Sequence, residues 1–203
     1  MSAARPFPDK PAVRVEALAL SRGARVLVED LSFTAQAGAF VEIRGANGAG
    51  KTSLLRAIAG FLRPRSGRIA IEGAEEPSLA FQYLGHQNGL KGAASVRAHV
   101  RYWAALFGAG ESDAALERLA LTRQADLPAR VLSQGQARRL ALTRLVIAPR
   151  PIWLLDEPAS GLDDDGRALL AALIAAHCAL GGVVLAAVHS AIGVTPTQSV
   201  TLG

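Results

Sequence analysis

The run Gly45-Ala46-Asn47-Gly48-Ala49-Gly50-Lys51-Thr52 satisfies the pattern G-x-x-x-x-G-K-[ST], whose chemistry is the cradling of a polyphosphate. Its glycines let successive backbone N–H groups converge on one anion, Lys51 can reach the β- and γ-phosphates, and the Thr52 hydroxyl can ligate Mg²⁺. Ser53 follows in the same helix start and counts among the nucleotide-binding candidates. A second candidate is Ile152-Trp153-Leu154-Leu155-Asp156-Glu157, an apolar run that ends in two adjacent carboxylates. Asp156, at the strand terminus, is suited to hold Mg²⁺ or its water, and Glu157 can point toward the γ-phosphate and polarise the attacking water. A third is Leu132-Ser133-Gln134-Gly135-Gln136, just ahead of a helix-like run. Hydroxyl, exposed N–H groups and helix dipole make an anion site there, the alternative being an ordinary Ser cap with nothing bound. Together these residues point to binding and hydrolysis of a nucleoside triphosphate.

Such side chains need a sheet to carry them. Residues 39–44 read as the strand that enters the phosphate loop and residues 52–59 as the helix that leaves it; residues 152–155 and 183–188 are further apolar strands, and a helix lies between them near residues 167–180. Strands alternating with helices imply a parallel sheet whose ligand lies beyond the strand carboxyl ends. Ahead of them, residues 13–20 and 26–36 read as two strands joined through Arg22-Gly23-Ala24-Arg25, an antiparallel β lobe. Residues 68–72 and 79–84 read as further strands. From about residue 88 to 149 the pattern changes to amphipathic helix, with Val96, Val100, Trp103, Leu106 and Phe107 recurring mostly at three- and four-residue spacing. Tyr102 and Trp103 are assigned to the core of this helical insert, with contact to a partner as the alternative. The expected fold is therefore α/β, a P-loop NTPase with a RecA-like core, an antiparallel β lobe and a helical insert. The domain spans residues 12–203, and residues 1–11, proline-rich and without the apolar segment of a secretory signal, are expected to form a flexible tail.

A chain of 203 residues holds one substantial core, so a mechanism needing two nucleotide domains needs a second chain. The net charge of +5 comes mostly from scattered arginines, with concentrations at Arg63/Arg65/Arg68 and Arg138/Arg139; the balance fits an anionic ligand or a membrane surface, a solvated basic face being the commoner explanation. Neither is interleaved with aromatics, so no nucleic-acid partner is expected. The lone Cys178 cannot form an internal disulfide and reads as a small core residue. Residues 168–203 contain no Asp, Glu, Lys or Arg, yet the apolar stretch 168–180 is interrupted by His177 and closed by Gly181-Gly182. It falls short of the ~20 residues a bilayer requires and reads as a buried helix, a turn and a buried strand. At a membrane, other chains must do the spanning.

The order of these motifs, with Gln87 after one strand and His189 after another, resembles the ATP-binding-cassette ATPases over nearly the whole chain. The resemblance implies ATP with Mg²⁺ as the ligand, and a second copy of the chain whose Leu-Ser-x-Gly-Gln segment closes over the ATP held by the first. By motif, it makes Gln87 a residue that contacts Mg²⁺ and water and senses the membrane partner. Ser133, Gly135 and Gln136 become the segment facing the opposite γ-phosphate, Ser160-Gly161-Leu162-Asp163 the loop linking two sites, and His189 the histidine on the γ-phosphate. The catalytic set it implies is Glu157, His189, Gln87 and Lys51, with Thr52, Gln87 and Asp156 at the metal. Three positions depart from the family pattern. Gln134 stands where Gly is usual, Val188 precedes the histidine where Thr is frequent, and no aromatic lies near Ser21-Arg22 to stack on adenine, which leaves Arg22 to cover the base.

Within that family, Glu42-Ile43-Arg44 leading into the loop, Tyr83-Leu84-Gly85-His86-Gln87 and Gln136-Ala137-Arg138-Arg139 resemble the ATP-binding subunits of haem exporters used in cytochrome c maturation. That resemblance implies a peripheral subunit on the cytoplasmic face of the inner membrane, working with integral membrane subunits. The residues themselves leave open export of another substrate, or a module that assembles under ATP control and transports nothing.

Overall fold

The computed structural model describes residues 7, 10–74, 76–109, 113–148 and 150–203. Most of the expected flexible tail, and Pro149 at the far end of the insert, lie outside the described residues. Of the tail, Phe7 packs edge-on against the ring of His177, with centroids 5.0 Å apart.

Three strands form an antiparallel sheet: β1 (Ala12–Arg22), β2 (Arg25–Ala35) and β4 (Ser66–Glu72), in the order β2-β1-β4. The β1–β2 turn falls at Gly23-Ala24, as the Arg-Gly-Ala-Arg sequence predicts, and Arg22 pairs with Arg25 across it. Five strands form a parallel sheet in the order β5-β6-β7-β3-β8: β3 (Phe40–Gly45), β5 (Phe81–Leu84), β6 (Ile152–Asp156), β7 (Val183–Ala187) and β8 (Gln198–Leu202). Strands β6 and β7 are buried at every position, as expected of interior strands covered on both faces. The sheet separates two cores. On one side Phe40, Trp153, Leu155 and Val184 meet the helices of the insert and α5 (Asp164–Ala179); on the other Val41, Leu154 and Leu185 meet the β lobe and α1 (Lys51–Ile58). Helix α1 has only eight residues and is too short to persist alone. Its fully buried Leu54 and Leu55 contribute about 2 kcal/mol each by leaving water, which holds the helix, and hence the phosphate loop, on the sheet.

The helical insert comprises α2 (Val96–Phe107), α3 (Asp113–Arg118) and α4 (Gln134–Ile147). Its inward stripe is Val96, Val100 and Trp103, whose ring lies under the Arg144 guanidinium at 5.1 Å. Two assignments change here. Tyr102 and Leu106, taken as core by spacing, are 63% and 62% exposed, because α2 packs on one face only and its i, i+4 pair at 102 and 106 points to solvent. The strand expected from residue 79 begins at Phe81, since Pro77–Leu79 turns as a 3₁₀ helix. Strand β8 has no counterpart in the sequence reading; it is an edge strand whose polar residues Gln198, Ser199 and Thr201 alternate with Val200 and Leu202. Cys178 is half-buried, and burial pushes its thiol pKa up to about 11, which keeps it protonated and inert. Among the described residues no helix is long and apolar enough to cross a membrane.

Strand β8 also explains why the loop begins with glycine. Gly45 pairs with Leu202, has φ +144°, and a Cβ built on it would stand 2.4 Å from the Leu202 carbonyl oxygen. Gly45→Ala is therefore expected to destabilise the fold by about 2–3 kcal/mol through forced backbone movement, read as a lowered midpoint in thermal unfolding. A change under about 0.5 kcal/mol would contradict the close approach.

Candidate functional site

The carboxyl ends of β3, β6 and β7 open onto a cleft of about 600 Å³ between the parallel sheet and the β lobe. Helix α1 begins there, capped by Gly50 in a left-handed conformation (φ 105°) with no acidic residue in its first turn, so its free N–H groups and dipole face the cleft unopposed. The cleft is lined on the loop side by Asn47, Gly48, Gly50, Lys51, Thr52 and Ser53. Gly45, Ala46 and Ala49 complete the loop backbone without lining it. Lys51 is buried, and its ammonium donates to the carbonyls of Gly45 (2.7 Å) and Ala46 (3.1 Å), which fold it over its own loop.

Thr52 is bound to the second motif: its hydroxyl donates to Asp156 Oδ1 at 3.0 Å. Asp156 is buried at the end of β6, and burial raises its carboxyl above the usual range, an effect that the Thr52 hydrogen bond opposes. A hydroxyl and a buried carboxylate side by side are hard oxygen donors of the kind Mg²⁺ takes together with phosphate oxygens and water. The donor set therefore fits that ion. No cluster of three or more His, Cys, Asp or Glu that could hold a metal exists among the described residues.

Glu157 turns off the strand with φ 48°, a left-handed conformation unusual for a residue with a side chain, while its N–H donates to the Ala187 carbonyl at 3.0 Å. This turn aims the carboxylate along the cleft toward β7. There His189 Nε2 lies 2.8 Å from Glu157 Oε1, and both residues line the cleft. Lys51, Thr52, Asp156, Glu157 and His189 are thus assembled around one end of a single cavity or in direct contact with its lining.

The remaining sequence candidates lie elsewhere in this chain. Gln87 is exposed and does not line the cleft, whereas its neighbour His86 comes within 3.3 Å of Glu157 Oε2 through Nδ1. Ser133 is exposed as the N-cap of α4, where its hydroxyl accepts from the Gln136 N–H (3.2 Å) and the Gln136 side chain accepts from the Ser133 N–H (3.0 Å). With this reciprocal capping box, Ser133 is exposed, Gly135 and Gln136 are half-buried, and none of the three lines the cleft of their own chain. Gln134, the departure from the family pattern, packs on the linking loop. A Cβ at Gly161 (φ +75°) would stand 2.7 Å from Gln134 Cγ, and the Gly161 oxygen lies 3.1 Å from where a Gly135 Cβ would be. Asp163 caps α5 by accepting from the Gly166 N–H at 2.9 Å.

Two features were missed. Arg138, read with Arg139 as a solvated basic face, is 2% exposed. Its guanidinium donates to the carbonyls of Pro158 (3.1 Å), Asp156 (2.9 Å), Glu157 (2.8 Å) and Gly85 (3.0 Å) and to Asn88 Oδ1 (3.1 Å). Helix α4 is thereby tied to the end of β6 and to the segment carrying His86 and Gln87. At the other end of the cleft, Ser21, Arg22, Arg25, Leu27, Arg56 and Phe61 form the wall. Arg22 is thus placed where a base could lie, and an aromatic does reach the cleft, Phe61 from beyond α1 rather than from the region of Ser21.

The family described as ABC transporter matches residues 28–160, more than half of the chain. The cytochrome c biogenesis ATP-binding export protein CcmA of Hyphomonas neptunium is 45% identical over 193 residues, covering 95% of this chain and 97% of the relative. The protein of the same name from Paracoccus denitrificans is 44% identical, covering 93% and 88%. Among solved structures, an ATP-binding subunit of an ABC transporter superposes with a TM-score of 0.77 at 25% identity, over 87% of this chain and 79% of that one. A bacterial Atm1-family ABC exporter solved with ATP bound superposes at 0.82 and 22% identity, a likeness of fold over 97% of this chain and 38% of that one. A nucleotide cleft of this construction, the matched family and relatives near 45% identity along almost the full length lead to one conclusion: the chain belongs to the ABC transporter family, as an ATP-binding subunit of the cytochrome c biogenesis export type.

Proposed function

We propose that this chain hydrolyses ATP as one of two copies in a haem exporter complex for cytochrome c maturation, seated on the cytoplasmic face of the inner membrane against integral membrane subunits. The observation that carries the reading is the convergence of Lys51, Thr52, Asp156, Glu157 and His189 on one cleft while Ser133, Gly135 and Gln136 lie outside it. An anion site built at a helix N-terminus but turned away from its own cleft is useful when a second copy supplies the phosphate. The 45% and 44% identity to cytochrome c biogenesis ATP-binding export proteins, over most of both chains, supports the cargo assignment.

In this reading the loop N–H groups, the α1 dipole and Lys51 stabilise charge on the β- and γ-phosphates. Thr52, Asp156 and Gln87 would hold Mg²⁺, which when bound neutralises phosphate charge. Glu157 accepts the proton of the attacking water as it adds to the γ-phosphorus, and His189 donates to a γ-phosphate oxygen. The ADP leaving group is held by the loop. Gln87 is exposed and reaches its partners only after its side chain turns inward, which makes it a route by which a membrane subunit can license hydrolysis.

The paired arrangement is tested by sedimentation of the full chain with slow-hydrolysing ATP analogues. ATP is expected to convert monomer to dimer and ADP is not. Ser133→Arg, on the surface and clear of its own cleft, is expected to leave nucleotide affinity within about threefold while abolishing the dimer, since a guanidinium side chain fills the space meant for the opposite phosphate. Dimerisation of Ser133→Arg at parental ATP concentration would refute the paired site. Recovery of the chain from detergent-solubilised membranes with haem-handling multispan proteins tests the cargo.

A further inference from the structure

The segment Tyr83-Leu84-Gly85-His86-Gln87 sets a histidine immediately ahead of the glutamine, and it is the histidine that lies near Glu157. The two oxygens of the Glu157 carboxylate differ in their neighbours: Oε1 is hydrogen-bonded to His189 Nε2 at 2.8 Å, and Oε2 has His86 Nδ1 close by at 3.3 Å without hydrogen-bond alignment. The two contacts differ in position. His189 and Glu157 line the nucleotide cleft; His86 approaches from outside that lining. They differ in support as well. Arg138 donates through Nη1 to the carbonyls of Gly85 (3.0 Å) and His86 (3.5 Å), and through Nη2 to that of Glu157 (2.8 Å). One buried guanidinium therefore sets the spacing between the His86 and Glu157 backbones, although His86 itself is exposed.

A general base needs one oxygen free to receive the proton and benefits from having the other fixed. If His189 turns to the γ-phosphate, Oε1 is released toward the cleft and Oε2 keeps its neighbour. We infer that His86 is a positioning residue for hydrolysis: in the nucleotide-closed site its Nδ1 donates to Glu157 Oε2, so that Oε1 faces the attacking water. This rests on the reading of Glu157 as the base. At 3.3 Å the imidazole is near Oε2 but not aligned to donate, so the hydrogen bond forms by a small turn of the exposed ring when nucleotide closes the site.

The test compares steady-state ATP turnover of the complex purified from membranes carrying His86→Ala, His86→Asn or His86→Gln, with Glu157→Gln alongside. His86→Ala is expected to lower kcat about tenfold, the worth of one hydrogen bond to a charged group, with KM for ATP unchanged. Asn places an amide nitrogen where Nδ1 stood and is expected to restore kcat to within about threefold of the parent. Gln, which matches the other ring nitrogen, is not. The inference is overturned by parental kcat in His86→Ala, by a loss carried in KM, or by Asn performing no better than Ala. Should Glu157→Gln retain parental turnover, the base assignment itself falls and this inference with it. Should Glu157→Gln lose turnover while His86→Ala does not, His86 alone is misassigned.

Discussion

Glu157→Gln is expected to bind ATP within about threefold of the parent and to lose at least ~10²-fold in turnover, the lower range for removal of a general base. The two side chains share shape and length, so the amide oxygen can still accept from His189 Nε2, 2.8 Å from the carboxylate, and the left-handed backbone at residue 157 need not move. What disappears is the ability to take a proton and the negative charge that polarises water. Binding rests on different atoms, those of Lys51, the loop N–H groups and α1, which the substitution does not touch. The variant should therefore accumulate with ATP bound, and in the paired reading it should accumulate as dimers. Phosphate release and equilibrium binding of a fluorescent ATP analogue check the two halves separately. Turnover near the parental rate would remove Glu157 from the role of base, whatever its place in the cleft.

The parts of this site legible in the sequence are those whose chemistry is local. A loop of fixed length between a strand and a helix can only present its N–H groups at the helix start, so Gly45 to Thr52 named the ligand class without knowledge of the fold. Two carboxylates ending an apolar strand could be placed because β6 is buried throughout and its last residue must emerge at the ligand end of a parallel sheet. Arg138 was illegible for the opposite reason. Its burial is decided by carbonyls from residues 85 and 156–158, brought together by sheet order and not by any periodicity within α4. The exposure of Tyr102 and Leu106 likewise depends on which faces of α2 find neighbours, since apolar spacing marks more positions than one packing face can cover. Strand β8 hid behind its composition: an edge strand with polar residues on alternate positions carries little hydrophobic signal, yet it forces glycine at residue 45. That His86 lies near Glu157 while Gln87 faces outward turns on the orientation of two exposed side chains, which no pattern of residue types specifies.

Arg138→Met tests whether the site is held from behind as the hydrogen bonds imply. Methionine fills much of the same volume and removes a buried charge, a change that in other settings is neutral or stabilising. Here the guanidinium has no carboxylate bonded to it; it serves backbone carbonyls of Gly85, Asp156, Glu157 and Pro158 and the Asn88 side chain. Burial pulls its pKa down from the ordinary arginine value, while the nearby charges of Asp156 and Glu157 oppose that and favour the charged form. Those charges lose their buried counter-ion in the variant, and several acceptors lose their donor at about 1–3 kcal/mol apiece where water cannot replace it. The expected result is a loss of about 3–5 kcal/mol in stability, read as a lower urea midpoint with unchanged slope. Arg101→Met, at an exposed position on α2, should stay within about 0.5 kcal/mol. Below the unfolding transition, Arg138→Met should also turn over ATP at least ~10-fold more slowly, because Glu157 and Gly85 lose their tie to α4 and the Arg144 bond to the Asn88 carbonyl holds the neighbouring segment from one end only. Stability within about 1 kcal/mol of the parent would mean that water or a shifted loop satisfies the carbonyls equally well, and that the registry between α4 and the catalytic strand is set by apolar packing alone.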